Sequence, residues 1–322
     1  MDRTNTHPLF ERGLGRLKLA FKSTLQRTPK LPAPPLEHLQ WQDSLLAPTG
    51  PLISDSRTLA ELGYTRSPHA NIAVQTITGL SAVHGLFTHD AVAALQRIAA
   101  ELEHCAGDSD WIISRRTRGV TALSPFLHDM MRSRAFLLAI SRIAGVPLVP
   151  YPLLNARAQV NYFYPKSAEQ PREQLGMWHT DGTHYVLNIL LSDPSDFIGG
   201  EFLFHNRTID TFDALDHRTF ETAALAEPGD ALFIYGSHLF HGVRPVKSGR
   251  RLSLVLSFHC PYTTEDANRF WHLASDDGIP ATLPNWLHLQ WSLRRKAAHQ
   301  FAALGIDPIT FEELGRVTAP AC

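Results

Sequence analysis

The sequence predicts a mainly β core flanked by helices. Short runs rich in Val, Tyr, Phe, Ile and Leu recur after residue 156, and clusters of Gly, Pro, Asp and Ser separate them. The gaps between these runs carry mostly turn signals, which favours an antiparallel sandwich or barrel. Apolar residues at helical spacing occur before and after this region, so the helices are expected to support a sheet.

Four stretches follow from these patterns. Residues 1–70 are interpreted as a basic segment and linker, 71–155 as a helical support region, 156–262 as the β core and 263–322 as a C-terminal helical region. Residues 206–226 are interpreted as a polar insertion, and insertions of this length often cover a functional opening. The predicted strands are 156–164, 176–181, 184–192, 201–205, 231–235, 238–242 and 251–259.

The helical regions lack a pattern that suggests catalysis. Asp90 is expected to cap a helix that continues to Leu102, and a second helical pattern runs from Phe126 to Ala144. A stripe near the C-terminus is expected to form core or a subunit contact, which makes a homo-oligomer through this helix a candidate assembly. Its members are Trp286, Leu289, Leu293, Ala297, Phe301 and Leu304.

Composition and charge exclude several classes of protein. The 322 residues are 44% hydrophobic and 19% charged with a net charge of −1, so the chain is neither disordered nor biased towards nucleic acid or an acidic membrane. Its three cysteines are too few and too far apart for a disulfide framework or a zinc finger, and they fit a reducing cytoplasm. No apolar run approaches the ~18 residues of a membrane span, and no secretory signal opens the sequence.

The first 35 residues differ from the rest because they contain seven basic residues and only two acidic ones. A basic amphipathic segment can be a transit peptide or a membrane-surface helix. A solvated helix that packs one apolar stripe on the body is the favoured interpretation.

The chemistry is concentrated between residues 160 and 259. His179 and Asp181 stand two apart, so on an extended strand they project from one face. His241 follows sixty residues after Asp181 and could bring a second imidazole to the same point. Two histidines and one carboxylate form the facial triad that suits non-haem Fe(II) and leaves three positions open, whereas zinc prefers a nearly closed tetrahedron.

Arg251 begins a strand ten residues after His241. A buried arginine needs an anionic partner, and the far carboxylate of a dicarboxylate bound to the iron would supply one. Ser253 shares the face of Arg251 and could add a hydroxyl group.

These residues lie in segments that resemble the iron(II)/2-oxoglutarate-dependent dioxygenase superfamily, in particular its prolyl-4-hydroxylase-like branch. Five pieces occur in the order and spacing of that family, within about a third of the chain. They are His179-Thr180-Asp181, Gly199-Gly200-Glu201-Phe202, the segment 227–233, the segment His241-Gly242-Val243-Arg244-Pro245-Val246, and Gly249 with Arg251.

The resemblance implies a double-stranded β-helix, or jelly roll, with Fe(II) held by His179, Asp181 and His241. It implies that Arg251 binds the C5 carboxylate of 2-oxoglutarate and that O2 is the second co-substrate. Relatives also use polar side chains of the strand before H-x-D on 2-oxoglutarate, which makes Asn161 and Tyr164 candidates on opposite faces of that strand.

Other polar residues nearby have simpler interpretations. His184 and His238 are expected to face outward or to support the site rather than to bind metal, and Trp178 is expected to pack. His205 and His217 are candidate substrate contacts only.

The expected reaction is hydroxylation of a small polar metabolite, such as an amino acid or a biosynthetic intermediate, with release of succinate and CO2. Desaturation, cyclisation and hydroxylation of a peptide remain open alternatives. Halogenation is disfavoured because it needs a small residue in place of Asp181. A jelly-roll binding protein without catalysis is an alternative from a different class.

Overall fold

The computed structural model describes residues 17, 20, 21, 39–108, 114–165, 178–264, 270–293 and 295–315. The strands are β1 (Leu52–Thr58), β2 (Thr78–His84), β3 (Gly107–Asp108), β4 (Ser114–Arg118), β5 (Val149–Pro150), β6 (Ala158–Phe163), β7 (Tyr185–Leu190), β8 (Phe197–Gly199), β9 (Phe202–His205), β10 (Phe220–Ala223), β11 (Ala231–Tyr235), β12 (His241–Val243), β13 (Val246–Gly249) and β14 (Arg251–His259). The α-helices are His89–Glu101, Pro125–Arg132, Arg134–Ala144, Leu154–Arg157, Phe270–Asp277, Ile279–Leu293 and Ala297–Ala303.

Two antiparallel sheets form the predicted double-stranded β-helix. The main sheet has the order β1-β2-β11-β7-β14-β6-β4-β3, with β5 also paired to β14, and the small sheet has the order β10-β9-β12. His179 bridges to His241 and so adds a short fourth member to the small sheet. Successive segments of the core therefore alternate between two facing sheets in the manner of a jelly roll, and the predicted fold is confirmed.

The central strands match their predicted positions, with two differences. The strands predicted at 184–192, 231–235 and 251–259 are present as β7, β11 and β14. The strand predicted at 238–242 starts only at His241, because residues 236–238 turn. Residues 176 and 177 lie outside the described residues, and His179 forms only the isolated bridge.

The helical interpretation of residues 70–150 is wrong for β2 and β4, which extend the main sheet on either side of its core. Six of the seven residues of β2 are buried, so this strand shows no alternation of polar and apolar residues. The sequence of β4 is Ser-Arg-Arg-Thr-Arg, which lacks the apolar residues by which strands are recognised.

The helix boundaries also differ from prediction. Thr88, rather than Asp90, caps the helix His89–Glu101, because its side chain accepts the N–H of Ala91. The single pattern over 126–144 is two helices that meet at Ser133, where the backbone is extended and the hydroxyl caps the second helix.

The insertion at 206–226 is more than a polar cover. It contains β10, which pairs with β9 and completes the small sheet. Phe212 stacks on Phe240 at 4.4 Å between ring centroids, and Phe220 lies 4.5 Å from Trp178. The polar residues of this segment therefore cover an aromatic layer that fixes it to the barrel.

The two faces of β14 divide the molecule into core and site. Leu252, Leu254, Leu256 and Phe258 are buried on the outer face, and the ring of Phe136 from the helix Arg134–Ala144 lies 6.1 Å from that of Phe258. The alternate residues, from Arg251 to Ser257, project to the inner face between the sheets. Helices therefore cover one face of the sheet and leave the other face for chemistry.

The C-terminal stripe is interrupted. The helix Ile279–Leu293 ends before Ala297–Ala303 begins, and Phe301 is buried in the core while Trp286 packs near Phe270. A homo-oligomer through this region stays a prediction, as do the four stretches proposed from the sequence. Apart from residues 17, 20 and 21, the basic segment 1–35 lies outside the described residues. None of the helices in the described part of the chain combines the length and apolarity that crossing a membrane requires.

A cluster of buried histidines packs beside the ends of β7 and β14. His69 is 2% exposed and lies 2.8 Å from the hydroxyl of Tyr185, and His259 is 1% exposed and lies 3.1 Å from His184. Burial, followed by the neighbouring His184, holds the pKa of His69 and of His259 well below the usual 6.5. Both imidazoles are therefore neutral in the fold at neutral pH.

We expect this cluster to make the fold sensitive to acid. As the pH falls below 6.5, the unfolded chain gains protons that the fold does not accept, so the free energy of unfolding decreases. Below pH 6.5, each of these two histidines lowers the free energy of unfolding by up to ~1.4 kcal/mol for each pH unit. Well above pH 6.5, its effect on the free energy of unfolding does not change with pH. Urea unfolding at pH 5.5, 6.5 and 7.5 should show a shallower pH dependence in His259→Asn than in the wild type. The exposed His89→Asn is the control, and equal slopes in all three proteins would contradict the assignment.

Candidate active site

The first two residues of the site are joined through their own backbones. The N–H of His179 donates to the carbonyl of His241, and the N–H of His241 donates to the carbonyl of His179, each at 2.9 Å. This reciprocal pair places the two imidazoles side by side, with ring centroids 4.3 Å apart. This bridge joins two residues that are separated by sixty-one residues of the sequence.

Asp181 completes the group from the same segment. Its N–H donates to the carbonyl of Gly236 at 2.8 Å, and its carboxylate oxygens lie 3.7 Å from Nε2 of His179 and 3.6 Å from Nε2 of His241. A Cβ atom at position 236 would collide with this carboxylate, so only glycine fits beside it. One ligand atom from each of the three side chains lies within 4.8 Å of the other two.

Contacts to His241 orient its ring for metal binding. Its Nδ1 lies 3.0 Å from the carbonyl of Leu239, which fixes Nδ1 as the donor and leaves Nε2 as the atom that faces Asp181. The ring stacks on Phe202 at 5.3 Å. Two imidazoles and one carboxylate, set at one corner of a cavity, suit a divalent transition metal with open positions.

Arg251 is a buried cation on the inner face of the main sheet. It is 3% exposed, its Nη1 has no hydrogen-bond partner, and burial lowers the pKa of its guanidinium to about 10. Its guanidinium lies 5.0 Å from the ring centroid of Phe163, and a Cβ at Gly200 would stand 2.8 Å from its Cδ. Ser253 is fully buried, and its hydroxyl also lacks a partner. Such groups are costly unless a ligand satisfies them.

A small cavity of about 60 Å³ joins the triad to the main sheet. Asn161 and Asn188 line it, and the Oδ1 atoms of both are buried without a hydrogen-bond partner. Asn161 lies opposite Ser253 in the pairing of β6 with β14. Asn188 was missed from the sequence, although it is the one polar residue between Val186 and Leu190.

The structure does not bring Tyr164 to this cavity. Its hydroxyl donates to Glu103 at the edge of the sheet, and Asn161 occupies the inner face instead.

The additional histidines also lie away from the triad. His184 is fully buried against His259, so of its two expected placements the outward-facing one is wrong, and it is not part of the metal-binding group. His238 contacts Ser237 and the rings of Tyr64 and Tyr235. His205 is buried, and its two nitrogens lie 2.9 and 3.0 Å from the hydroxyls of Thr219 and Thr211, while His217 is exposed.

A second cavity of about 100 Å³ opens on the other side of His179 and Asp181. Most of its remaining lining is polar, and one wall is the helix Phe270–Asp277. The polar side chains include Arg116, Arg118, Gln159, Ser257, His272 and Asp276.

Ion pairs fasten this wall to the sheet. Arg118 donates to both oxygens of Asp277, at 3.0 and 2.9 Å, and to Asp276 at 3.1 Å. These carboxylates raise the pKa of Arg118 above its usual value, although its burial opposes them. The sequence did not reveal this network, because 159 residues separate Arg118 from Asp277 and neither belongs to a motif.

Comparisons with known proteins found similar structures only. No protein-family model matches the chain, and no curated protein sequence matches it. The α-ketoglutarate-dependent epimerase SnoN from nogalamycin biosynthesis is 17% identical, with a TM-score of 0.45 over 57% of this chain and 77% of its own. HygX from Streptomyces hygroscopicus, with nickel and 2-oxoglutarate bound, is 17% identical, with a TM-score of 0.42 over 57% of this chain and 83% of its own.

EctD from S. alaskensis, with bound Fe, is 18% identical, with a TM-score of 0.44 over 75% of this chain and 97% of its own. Of these three neighbours, one is α-ketoglutarate-dependent, one holds nickel and 2-oxoglutarate, and one holds Fe. The prolyl-4-hydroxylase-like branch stays a prediction. At this level of identity the likeness concerns the fold, and the function of this chain rests on the side chains of its own site.

The contact between Gly236 and Asp181 gives a test of the site. We expect Gly236→Ala to weaken Fe(II) binding at least about tenfold, a loss of ~1.4 kcal/mol, because the new methyl group displaces the carboxylate. Position 236 is not among the residues with positive φ, so alanine introduces no backbone strain there. Its effect would come from the contact of the new methyl group with Asp181. Anaerobic Fe(II) titration measures the effect.

Gly107→Ala is the matched control, since a Cβ at that position meets nothing within 4 Å. Unchanged iron affinity in Gly236→Ala, with an unchanged melting temperature, would contradict the placement of Asp181.

Proposed function

We propose that this chain is an Fe(II)- and 2-oxoglutarate-dependent oxygenase that hydroxylates a small polar molecule and releases succinate and CO2. The observation that carries this proposal is the presence of a facial donor group on the small sheet together with a buried, incompletely bonded cation on the inner face of the main sheet. The donors are His179, Asp181 and His241, and the cation is Arg251.

The donor group suits Fe(II) by its chemistry. Its two imidazoles and one carboxylate match the ligand set of non-haem iron oxygenases, and the tautomer of His241 leaves the correct nitrogen available. When bound, the iron would activate O2, which would take two electrons from 2-oxoglutarate as this becomes succinate and CO2, and two from the C–H bond that is oxidised. The protein supplies position and a dry surrounding.

Arg251 and Ser253 would hold the far carboxylate of 2-oxoglutarate. A guanidinium binds a carboxylate through two parallel hydrogen bonds, and the free Nη1 and the hydroxyl of Ser253 provide donors on one face of β14. The dianionic co-substrate would also compensate the buried charge of Arg251. Asn161 and Asn188 place acceptor groups in the cavity that contacts the triad, and Asn161 lies opposite Ser253 in the pairing of β6 with β14.

Apolar side chains close the rest of this cavity. Val186, Phe202, Ile234 and Val255 line it beside the metal-binding atoms. Their role would be to exclude water from the reacting atoms and so to prevent side reactions. The small polar substrate would enter from the opposite side, where the second cavity contacts His179 and Asp181.

Hydroxylation is the outcome we favour because Asp181 supplies a third protein ligand. A halide would need the position that this carboxylate occupies. Oxygen from O2 would therefore be returned to the substrate carbon.

The co-substrate assignment predicts a selective defect in Arg251→Gln. The KM for 2-oxoglutarate should rise at least about 30-fold, since the loss of a buried charge-assisted pair costs ~2 kcal/mol or more. Iron affinity should change little, because Arg251 is not a ligand. Succinate formation against 2-oxoglutarate concentration, with a separate anaerobic iron titration, measures both effects.

Arg250→Gln is the control, because Arg250 is exposed and pairs with Glu103 at 2.9 Å on the surface. An unchanged KM in Arg251→Gln would mean that another group binds the co-substrate. If the wild type binds neither Fe(II) nor 2-oxoglutarate, the proposed activity is wrong and a non-catalytic jelly-roll protein is the better description.

A further inference from the structure

The second cavity has a charged end that is set back from the metal-binding group. In the main sheet, Val255 pairs with Gln159, and Gln159 pairs with Arg118. Val255 lines both cavities. Because two strand spacings separate Val255 from Arg118 across the sheet, these residues are roughly 10 Å apart. A molecule that lies along this row can place one end at His179 and Asp181 and its other end near the arginines.

The two arginines at this end, Arg116 and Arg118, differ in how many of their hydrogen-bond donors have partners within the protein. The guanidinium of Arg118 contacts Asp276, both oxygens of Asp277 and Oε1 of Gln159, so its donors are largely satisfied within the protein. Among the described residues, the side chain of Arg116 makes a single hydrogen bond, to Oδ1 of Asp276 at 2.5 Å, and it is 11% exposed. Asp276 is shared, because its other oxygen contacts Arg118.

Arg116 therefore has guanidinium donors available at the second cavity. A guanidinium carries five N–H donors in a rigid, planar fork, and only one of them is used here. Arg116 lines the second cavity, on the face of β4 that it shares with Arg118. A carboxylate matches the fork of a guanidinium through two parallel hydrogen bonds.

The charges and the size of the cavity limit the ligand further. Two arginines stand against two aspartates at this end, so the pocket favours a monoanion over a dianion such as phosphate. The volume of this cavity, about 100 Å³, is below the ~150 Å³ of a cavity that binds benzene. A free amino acid or a short hydroxy acid is therefore much closer to its size than a peptide chain is.

We propose that the substrate is a small carboxylic acid whose carboxylate is bound by Arg116, with the carbon to be oxidised at the other end of the molecule, beside His179 and Asp181. Arg118 would not contact the substrate in this arrangement. It would act as a positioning residue that holds the helix Phe270–Asp277 in place as the wall of the pocket. This inference rests on the proposed oxygenase activity and names the substrate class of the same site.

The test uses pairs of compounds that differ only in the anionic group. The twenty L-amino acids, a set of C3–C8 hydroxy and dicarboxylic acids, the carboxamide of each, and their phosphate-bearing counterparts where available are screened for stimulation of succinate formation. At least one acid should stimulate the wild type, and its amide should have a kcat/KM at least tenfold lower. Arg116→Gln should lose at least tenfold in kcat/KM for that acid, mainly through KM, and Arg116→Lys should recover part of the loss.

Arg115→Gln is the matched control, since Arg115 is its neighbour in the strand on the opposite, more exposed face. The KM for 2-oxoglutarate and the anaerobic absorbance of the iron–2-oxoglutarate complex should be unchanged in Arg116→Gln. Equal stimulation by acid and amide, a preference for a phosphate compound, a fully active Arg116→Gln, or a silent panel with a normal iron–2-oxoglutarate absorbance would each overturn the carboxylate assignment. Absence of that absorbance in the wild type would instead overturn the proposed function.

Discussion

The candidate site depends on one backbone bridge, the reciprocal hydrogen bonds between His179 and His241. Neither residue belongs to a long strand at this point, so these two bonds set the separation of the imidazoles. Asp181 follows two residues later and therefore lies on the same side, with its N–H fixed by the carbonyl of Gly236. The backbone positions of His179 and His241 thus follow from pairing within the small sheet, and that of Asp181 follows from its hydrogen bond to the carbonyl of Gly236.

The main sheet supplies the opposite wall and the cation. Its outer face is covered by helices, and this allows the inner face to carry polar side chains that a two-sided apolar core would exclude. Arg251, Ser253, Asn161 and Asn188 all retain buried polar atoms without partners on that inner face. A concentration of such groups is costly for folding, and it is typical of a surface that a polar ligand completes.

Sequence patterns predicted those parts of the site that depend on short spacing. The alternation of His179 with Asp181, and of Arg251 with Ser253, follows from strand geometry alone. Tyr164 and Asn161 could not be separated in this way, because the pairing of β6 with β14 decides which face of the strand is inward. Asn161 lies opposite Ser253, and this register is a long-range property.

Long-range pairing also explains the other differences. β2 and β4 join the main sheet through partners far away in the chain, and neither carries the usual alternation. Arg118 and Asp277 are 159 residues apart in the sequence, so no local pattern indicates their contact. The central strands, by contrast, were predicted well because apolar runs and turn residues mark their ends.

The most direct measurement of the metal and co-substrate assignments is a structure of crystals grown anaerobically with Mn(II), as a stand-in for Fe(II), and 2-oxoglutarate. We expect an anomalous peak about 2.0–2.3 Å from Nε2 of His179, a carboxylate oxygen of Asp181 and Nε2 of His241. We also expect the far carboxylate of 2-oxoglutarate to bind Arg251. A metal bound elsewhere, or a co-substrate that leaves Arg251 without a partner, would contradict these assignments.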